Sequence, residues 1–151
     1  MKLLQMAAAA VALGLAGAAH AETFTFINTN SNQDQVVLNS ATAGGRPSGA
    51  TTYSAKSATT YADGKKVEVT GRCSAWVLPP SDQFGQSGVC QFKDASGGLA
   101  YAARFTCGVP SPKGFDCWGI LEGAGGAWKD RIGAFTGHSA TNGFNGEGHW
   151  N

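Results

Sequence analysis

Charge is scarce in this sequence. Asp, Glu, Lys and Arg make up 14% of it, against about 25% in ordinary soluble domains. Lys and Arg number 11, Asp and Glu 10, and no run of like charge occurs. Nucleic acids and anionic membrane surfaces recruit proteins through clustered basic side chains, so neither is an expected partner. Apolar residues recurring at helical spacing are also missing downstream of residue 21, which argues against helical bundles and α/β folds. No Gly-x-Ser-x-Gly elbow, His-Glu-x-x-His pair, Walker loop or dinucleotide-binding glycine fingerprint is present. The enzyme classes that depend on those motifs drop out, and no cofactor is expected.

The first 21 residues have the layout of a signal peptide. Lys2 precedes Leu3 to Ala18, apolar or small throughout except Gln5. Ala19-His20-Ala21 supplies a small-x-small cleavage site. The stretch is rich in Ala and Gly and lacks a charged stop-transfer flank, unlike a retained anchor. Cleavage after Ala21 leaves residues 22–151 as a single domain with no membrane span, bound for the periplasm or the exterior. Without Lys2 the basic residues match the acidic ones in number, so that domain is formally neutral.

Cys73, Cys90, Cys107 and Cys117 all follow the leader. An even count behind a signal peptide points to disulfides. The spacing lacks the close pairs of a zinc site. Three pairings exist in principle. The expected one is Cys73 with Cys90 and Cys107 with Cys117, since each pair brackets a turn-rich segment. In the chain-entropy view each bridge would contribute roughly 3 kcal/mol.

What the chain does have is glycine, 22 residues in all, set between short β-like runs. Thr23 to Ile27 alternates, with Phe24 and Phe26 on one face. Asn28 to Asp34 reads as a polar turn or loop before a short run at Val36 to Leu38. Gly44 to Ala50 is loop-like, and the Ser/Thr-rich stretch through Tyr61 suggests a weak edge strand. Asp63-Gly64 signals a turn into Lys66 to Val77, where Val67, Val69, Cys73 and Ala75 share a face opposite Glu68, Arg72 and Trp76. Leu78-Pro79-Pro80 ends that strand. Val89 to Lys93, Leu99 to Cys107, Cys117 to Gly123, Ile132 to Ser139 and Gly146 to Asn151 follow, with Leu99, Tyr101, Ala103, Phe105 and Cys107 on one face. The expectation is an all-β fold, a small antiparallel barrel of about eight strands with two disulfides.

The most specific segment runs Cys117-Trp118-Gly119-Ile120-Leu121-Glu122-Gly123-Ala124-Gly125-Gly126-Ala127-Trp128, then Lys129-Asp130-Arg131-Ile132-Gly133-Ala134-Phe135-Thr136-Gly137. An apolar strand, a glycine-rich turn, an aromatic, a basic residue and a glycine-spaced strand follow in order. The segment resembles the allene oxide cyclase and dirigent type of small eight-stranded barrel, and also a group of uncharacterised secreted bacterial proteins with the same cysteine and tryptophan layout. The resemblance spans Trp118 to Trp150 and implies a calycin-like barrel. The catalytic acids of those enzymes have no matching positions here, so none is carried over.

Several side chains are candidates for chemistry. Trp118, Ile120 and Glu122 share a face, and if it lines a lumen Glu122 is a buried carboxylate able to act as a general acid. With Asn142-Gly143 as a two-residue turn, His138 faces Glu147, Thr136 faces His149 and Phe135 faces Trp150. His138, Glu147 and His149 then form a weak metal-binding or acid–base candidate, whose plain alternative is a wet polar face opposite an aromatic one. Trp76, Tyr101, Trp118 and Trp128, with Glu122, are candidates to contact a ligand, and their plain alternative is core filling. Pro79 to Phe84, a loop tethered by the first disulfide, is a candidate rim.

The leading expectation is a secreted or periplasmic binding module for a small apolar ligand or a protein partner. The alternatives are a barrel enzyme of the isomerase or cyclase type, using Glu122 or His138 with Glu147, and a pocketless envelope interaction protein. The polarity of the lumen separates the three.

Overall fold

The computed structural model describes residues 21–37, 49–79, 82–140 and 143–151. The expected leader therefore lies outside the described residues except for Ala21, as do Leu38, residues 44–48, Pro80, Ser81 and Asn142. Eight strands follow in order: β1 Glu22–Val37, β2 Gly49–Tyr61, β3 Lys66–Val77, β4 Gln86–Lys93, β5 Leu99–Cys107, β6 Phe115–Gly123, β7 Ile132–Ala140 and β8 Gly143–Trp150. Each pairs antiparallel with its sequence neighbour, and β1 pairs with β8 to close the barrel. The helical content of the described residues is one turn of 3-10 helix at Gly126–Trp128.

The alternation read from the sequence sets the faces. Phe24, Phe26, Val69, Cys73, Phe92, Ala103, Leu121 and Phe135 are buried, while the charged residues between them face out. Cys73 lies directly opposite Cys90, and Cys107 opposite Cys117. Both pairs are bonded, and no cysteine is free. Each bridge joins adjacent strands and pins their register. The Asp63-Gly64 turn forms as expected, with Gly64 at φ 86° and its N–H donating to the Tyr61 carbonyl.

Four readings are corrected. Asn28 to Asp34 is not a turn but the middle of one long β1, because the alternation begun by Phe24 and Phe26 continues through Asn28 and Asn30. Their backbone pairs with β2 throughout, apart from one bulge between Ser31 and Asp34. The Ser/Thr-rich stretch is not a weak edge but β2, fully paired on both sides. Leu99 leaves the face of Tyr101 because Ala100 is an extra residue between the Phe92–Tyr101 and Lys93–Leu99 pairs. Ala100 is 0% exposed and Leu99 43%.

The fourth correction concerns the last hairpin, two residues out of the expected register. Ala140 pairs with Gly143, His138 with Asn145, Thr136 with Glu147, Ala134 with His149, and Phe135 with Gly148. Gly143 is the first residue of a strand, at φ 122°, and an added Cβ would lie 2.6 Å from the Asn28 carbonyl oxygen. That close approach and the positive φ, which side chains rarely adopt, are what need glycine. A shift of two preserves the faces, so Phe135 and Trp150 still point inward.

One end of the barrel is closed by aromatic rings. The chain from Gly123 to Arg131 folds across it, and the N–H groups of Ala124 and Gly125 both donate to the carbonyl of Ala100. Trp128 is thereby buried against Tyr101, with ring centroids 5.7 Å apart, and its indole N–H donates to the Tyr61 hydroxyl at 3.1 Å. Trp150 packs on Tyr101 and Phe24. Outside it, Arg131 lies over the Trp150 ring and pairs with Glu22 at 2.6 Å.

Trp150 is 2% exposed, so Trp150→Ala should cost on the order of 3–5 kcal/mol. Glu147→Ala, on the exposed face, should stay within about 0.5 kcal/mol. Urea unfolding of both variants checks this. A loss under about 1 kcal/mol for Trp150→Ala would contradict its role in closing the barrel.

Candidate functional site

The inward faces of the strands do not fill the barrel. They line a cavity of about 280 Å³. The reason lies in the side chains that β2 contributes. Ala55, Ser57 and Thr59 are small, and they stand across from bulky rings on the other strands. Had β2 carried large residues at these inward positions, the lumen would be solid.

The lining changes character along the axis. Towards the closed end it is aromatic, built from Phe24, Tyr61, Tyr101, Trp128 and Trp150. Phe26, Phe92, Leu121 and Phe135 follow. Neutral polar groups appear at the other end, where β1, β3 and β7 finish and β2, β4 and β8 begin. Gln86 is the first residue of β4, Thr51 and Tyr53 lie near the start of β2, and Ser139 is next to the last residue of β7. Asn28 sits opposite Phe144, the second residue of β8, and opposite Ser57 of β2. Among the described residues that line the cavity, none is Asp, Glu, Lys, Arg or His.

Burial removes the remaining titratable groups from play. It pushes the Tyr53 hydroxyl up to about 12. It also raises Tyr101, and raises Tyr61 against a partly offsetting hydrogen bond from Trp128. The lumen is thus uncharged near neutral pH. The nearby Ser57 hydroxyl partly offsets the effect of burial on Tyr101. Asn28 differs: its Oδ1 is buried and has no hydrogen-bond partner.

The candidates read from the sequence divide between the two faces. Tyr101 and Trp128 line the lumen. Trp76, Trp118 and Glu122 do not. Cys73 and Ala75 hold the inward parity of β3, and Cys117 and Leu121 that of β6, so Trp76, Trp118 and Glu122, at the opposite parity, point out. Trp76 is 51% exposed and Trp118 43%. Glu122 forms an exterior ion pair with Arg104. Lys56 with Glu68 and Arg72 with Asp34 make similar exterior pairs. Glu147 is exposed, opposite Thr136, and His149 lies opposite Ala134. His138 meets neither, since its cross-strand neighbour is Asn145. Among the described residues no group of three His, Cys, Asp or Glu is placed to hold a metal ion. Asp82 and Phe84 of the expected rim are described, and Phe84 packs edge-on against Trp118 on the outside of the barrel.

Sequence reasoning missed Asn28, Thr51 and Ser57 as lumen residues. For Asn28 the signal was there in the alternation Phe24, Phe26, Asn28 on β1, and for Thr51 and Ser57 in their shared parity with Ala55 and Tyr61 on β2.

His138 has its own small network outside the barrel. Its Nδ1 lies 2.8 Å from Asp116 Oδ1 and its Nε2 2.9 Å from the Lys113 carbonyl oxygen. The bond to Asp116 and the one to Lys113 raise its pKa above the ordinary value. A raised folded-state pKa means the interaction stabilises fully below the unfolded value of about 6.5 and is lost as pH rises through the folded one. A histidine-resolved NMR titration should therefore place His138 above 6.5, and Asp116→Asn should return it towards that value. An unshifted His138 in the unsubstituted protein would contradict the geometry.

The closed, eight-stranded antiparallel barrel agrees with the architecture that the resemblance to allene oxide cyclase and dirigent barrels implies. No protein-family model, no curated protein and no solved structure matches the chain.

Proposed function

We propose that this protein is a binding module that carries a small, uncharged, apolar molecule inside its barrel. The observation that carries the reading is the lumen: a cavity of about 280 Å³ walled by aromatic and neutral side chains. Ligand pockets are typically lined by apolar and aromatic groups with a few placed polar ones, and a dry cavity of about 150 Å³ suffices for benzene. An ionised ligand would lose its hydration here and meet no counter-charge among the described lining residues. The acids and histidines considered for acid–base chemistry sit on the outer wall, which supports carriage over an isomerase or cyclase reaction.

The setting we propose is extracytoplasmic. Two disulfides fit an oxidising compartment. Among the described residues, no helix is long and apolar enough to cross a membrane. The barrel wall has apolar residues inside and exposed ion pairs outside, the reverse of the lipid-facing pattern of an outer-membrane barrel. Residues 1–21 act in this reading as an export signal, so the intact mass of the exported protein should correspond to a chain starting at Glu22.

The binding test uses 2-methoxynaphthalene, a neutral aromatic probe, followed by tryptophan fluorescence, since Trp128 and Trp150 border the cavity. Saturable quenching is expected. Ala55→Phe places a ring in the cavity and should weaken the probe at least tenfold with the far-UV spectrum unchanged. Equal binding by the two proteins would remove the lumen as the site.

A further inference from the structure

One inward hydroxyl of the lumen is both reachable and unused. Tyr53 stands at the inward parity of β2, in the wall of the cavity. Other inward hydroxyls of β2 are engaged: that of Tyr61 accepts from the Trp128 indole, and Thr51 Oγ1 donates to the Asp34 carbonyl. The Tyr53 hydroxyl makes no hydrogen bond among the described residues, and burial alone accounts for its raised pKa. Among those residues, the side-chain polar atom that is both fully covered and unpaired is Asn28 Oδ1. The unpaired Tyr53 oxygen is therefore not fully covered, and a molecule in the cavity can touch it.

The backbone around Tyr53 leaves it that freedom. Across β3 lies Cys73, bonded to Cys90, which offers only weakly accepting sulfur. On the other side the β1 register slips. Ser31 pairs with Ser54 and Asp34 with Thr52, so Tyr53 faces a bulge and has no ladder partner on β1. Bulges recur beside functional sites, where they re-aim side chains. A phenylalanine would fill the same wall, so the fold itself makes no use of the hydroxyl.

We infer that the Tyr53 hydroxyl is the polar anchor of the lumen, donating a hydrogen bond to the carbonyl oxygen of an otherwise apolar, uncharged ligand. This rests on the lumen being a binding site. A phenolic oxygen donates more strongly than it accepts, because its lone pair is drawn into the ring. With its pKa pushed up to about 12, the group keeps its proton near neutral pH. A carbonyl is completed by one donor and brings no N–H or O–H of its own into an apolar wall. The ligand class is then a compact aromatic or alicyclic ketone or ester, its apolar body against Phe92, Leu121 and Phe135 and its oxygen at Tyr53.

Two probes of one outline test the inference: 2-acetylnaphthalene, which carries the carbonyl, and 2-isopropenylnaphthalene, in which a methylene group replaces the oxygen. Affinities for the disulfide-intact protein are measured by calorimetry. In Tyr53→Phe, which removes the hydroxyl and keeps the ring, 2-acetylnaphthalene should bind about tenfold more weakly, the size of one net hydrogen bond. Binding of 2-isopropenylnaphthalene should stay within about twofold. Infrared spectroscopy reads the bond itself, and its first arm needs no variant. The carbonyl stretch of bound, isotope-labelled 2-acetylnaphthalene should fall below its value in hexane, and in Tyr53→Phe it should return to that value. An unshifted stretch in the unsubstituted protein, or a shift that persists in Tyr53→Phe, would overturn the role of Tyr53. So would an unchanged affinity for the ketone in Tyr53→Phe, or equal weakening of both probes. Each of those outcomes leaves the lumen as a binding site. Failure of both probes to bind the unsubstituted protein would overturn the lumen reading itself.

Discussion

The barrel depends on a steric arrangement that recurs around its wall: most of the inward phenylalanines have a glycine as their partner on the neighbouring strand. Phe24 lies opposite Gly148 and Phe26 opposite Gly146. Phe92 faces Gly71, Phe105 faces Gly88, and Phe135 faces both Gly119 and Gly148. A Cβ added at Gly71, Gly88 or Gly148 would come within 2.5 to 2.6 Å of the paired ring. Eight strands leave an interior only just wide enough for side chains. Laying each ring over a bare backbone lets the wall carry many aromatics without collision. Five of the glycines, Gly71, Gly88, Gly119, Gly146 and Gly148, serve this packing rather than turns.

That device also explains why a cavity survives. Rings held flat against the wall by glycine leave the axis free, and β2 contributes only Ala55, Ser57 and Thr59 where it could have filled the space. Protein interiors are normally packed to crystal density. A core shaped for stability alone would fill this space. The cross-strand disulfides and the Trp128 plug supply rigidity that lets the fold tolerate the space.

The strand count, the faces of β3 and the cysteine pairing were legible because alternation is a strong signal when the inward residues are large or sulfur-bearing. Legibility fails where the inward residues are small or polar. Asn28 and Asn30 look like turn formers, and Ala55 and Ser57 look like a weak edge, although both segments obey the same alternation. Bulges are harder still. Nothing in Leu99-Ala100-Tyr101 announces that Ala100 will be the extra residue and Leu99 will turn outward. The last hairpin was misplaced by two because Asn142-Gly143 carries the commonest turn signal, while Gly143 is needed for the approach of the Asn28 carbonyl. Glu122 could not be assigned without knowing that Cys117 and Leu121 hold the inward side.

The seam between β1 and β8 has a consequence for how the chain is threaded. Glu22 pairs directly with Trp150, so the two ends of the folded domain are neighbours in one ladder. All other strand pairings join sequence neighbours. The topology is therefore a ring in which the position of the break is arbitrary. A short bridge from residue 151 to residue 22, with new termini opened at the Asp63-Gly64 turn, would keep every ladder. Such a circular permutant would preserve the lumen while converting the one long-range closure into a local hairpin, and would move the slow, entropically costly step of assembly to a different pair of strands.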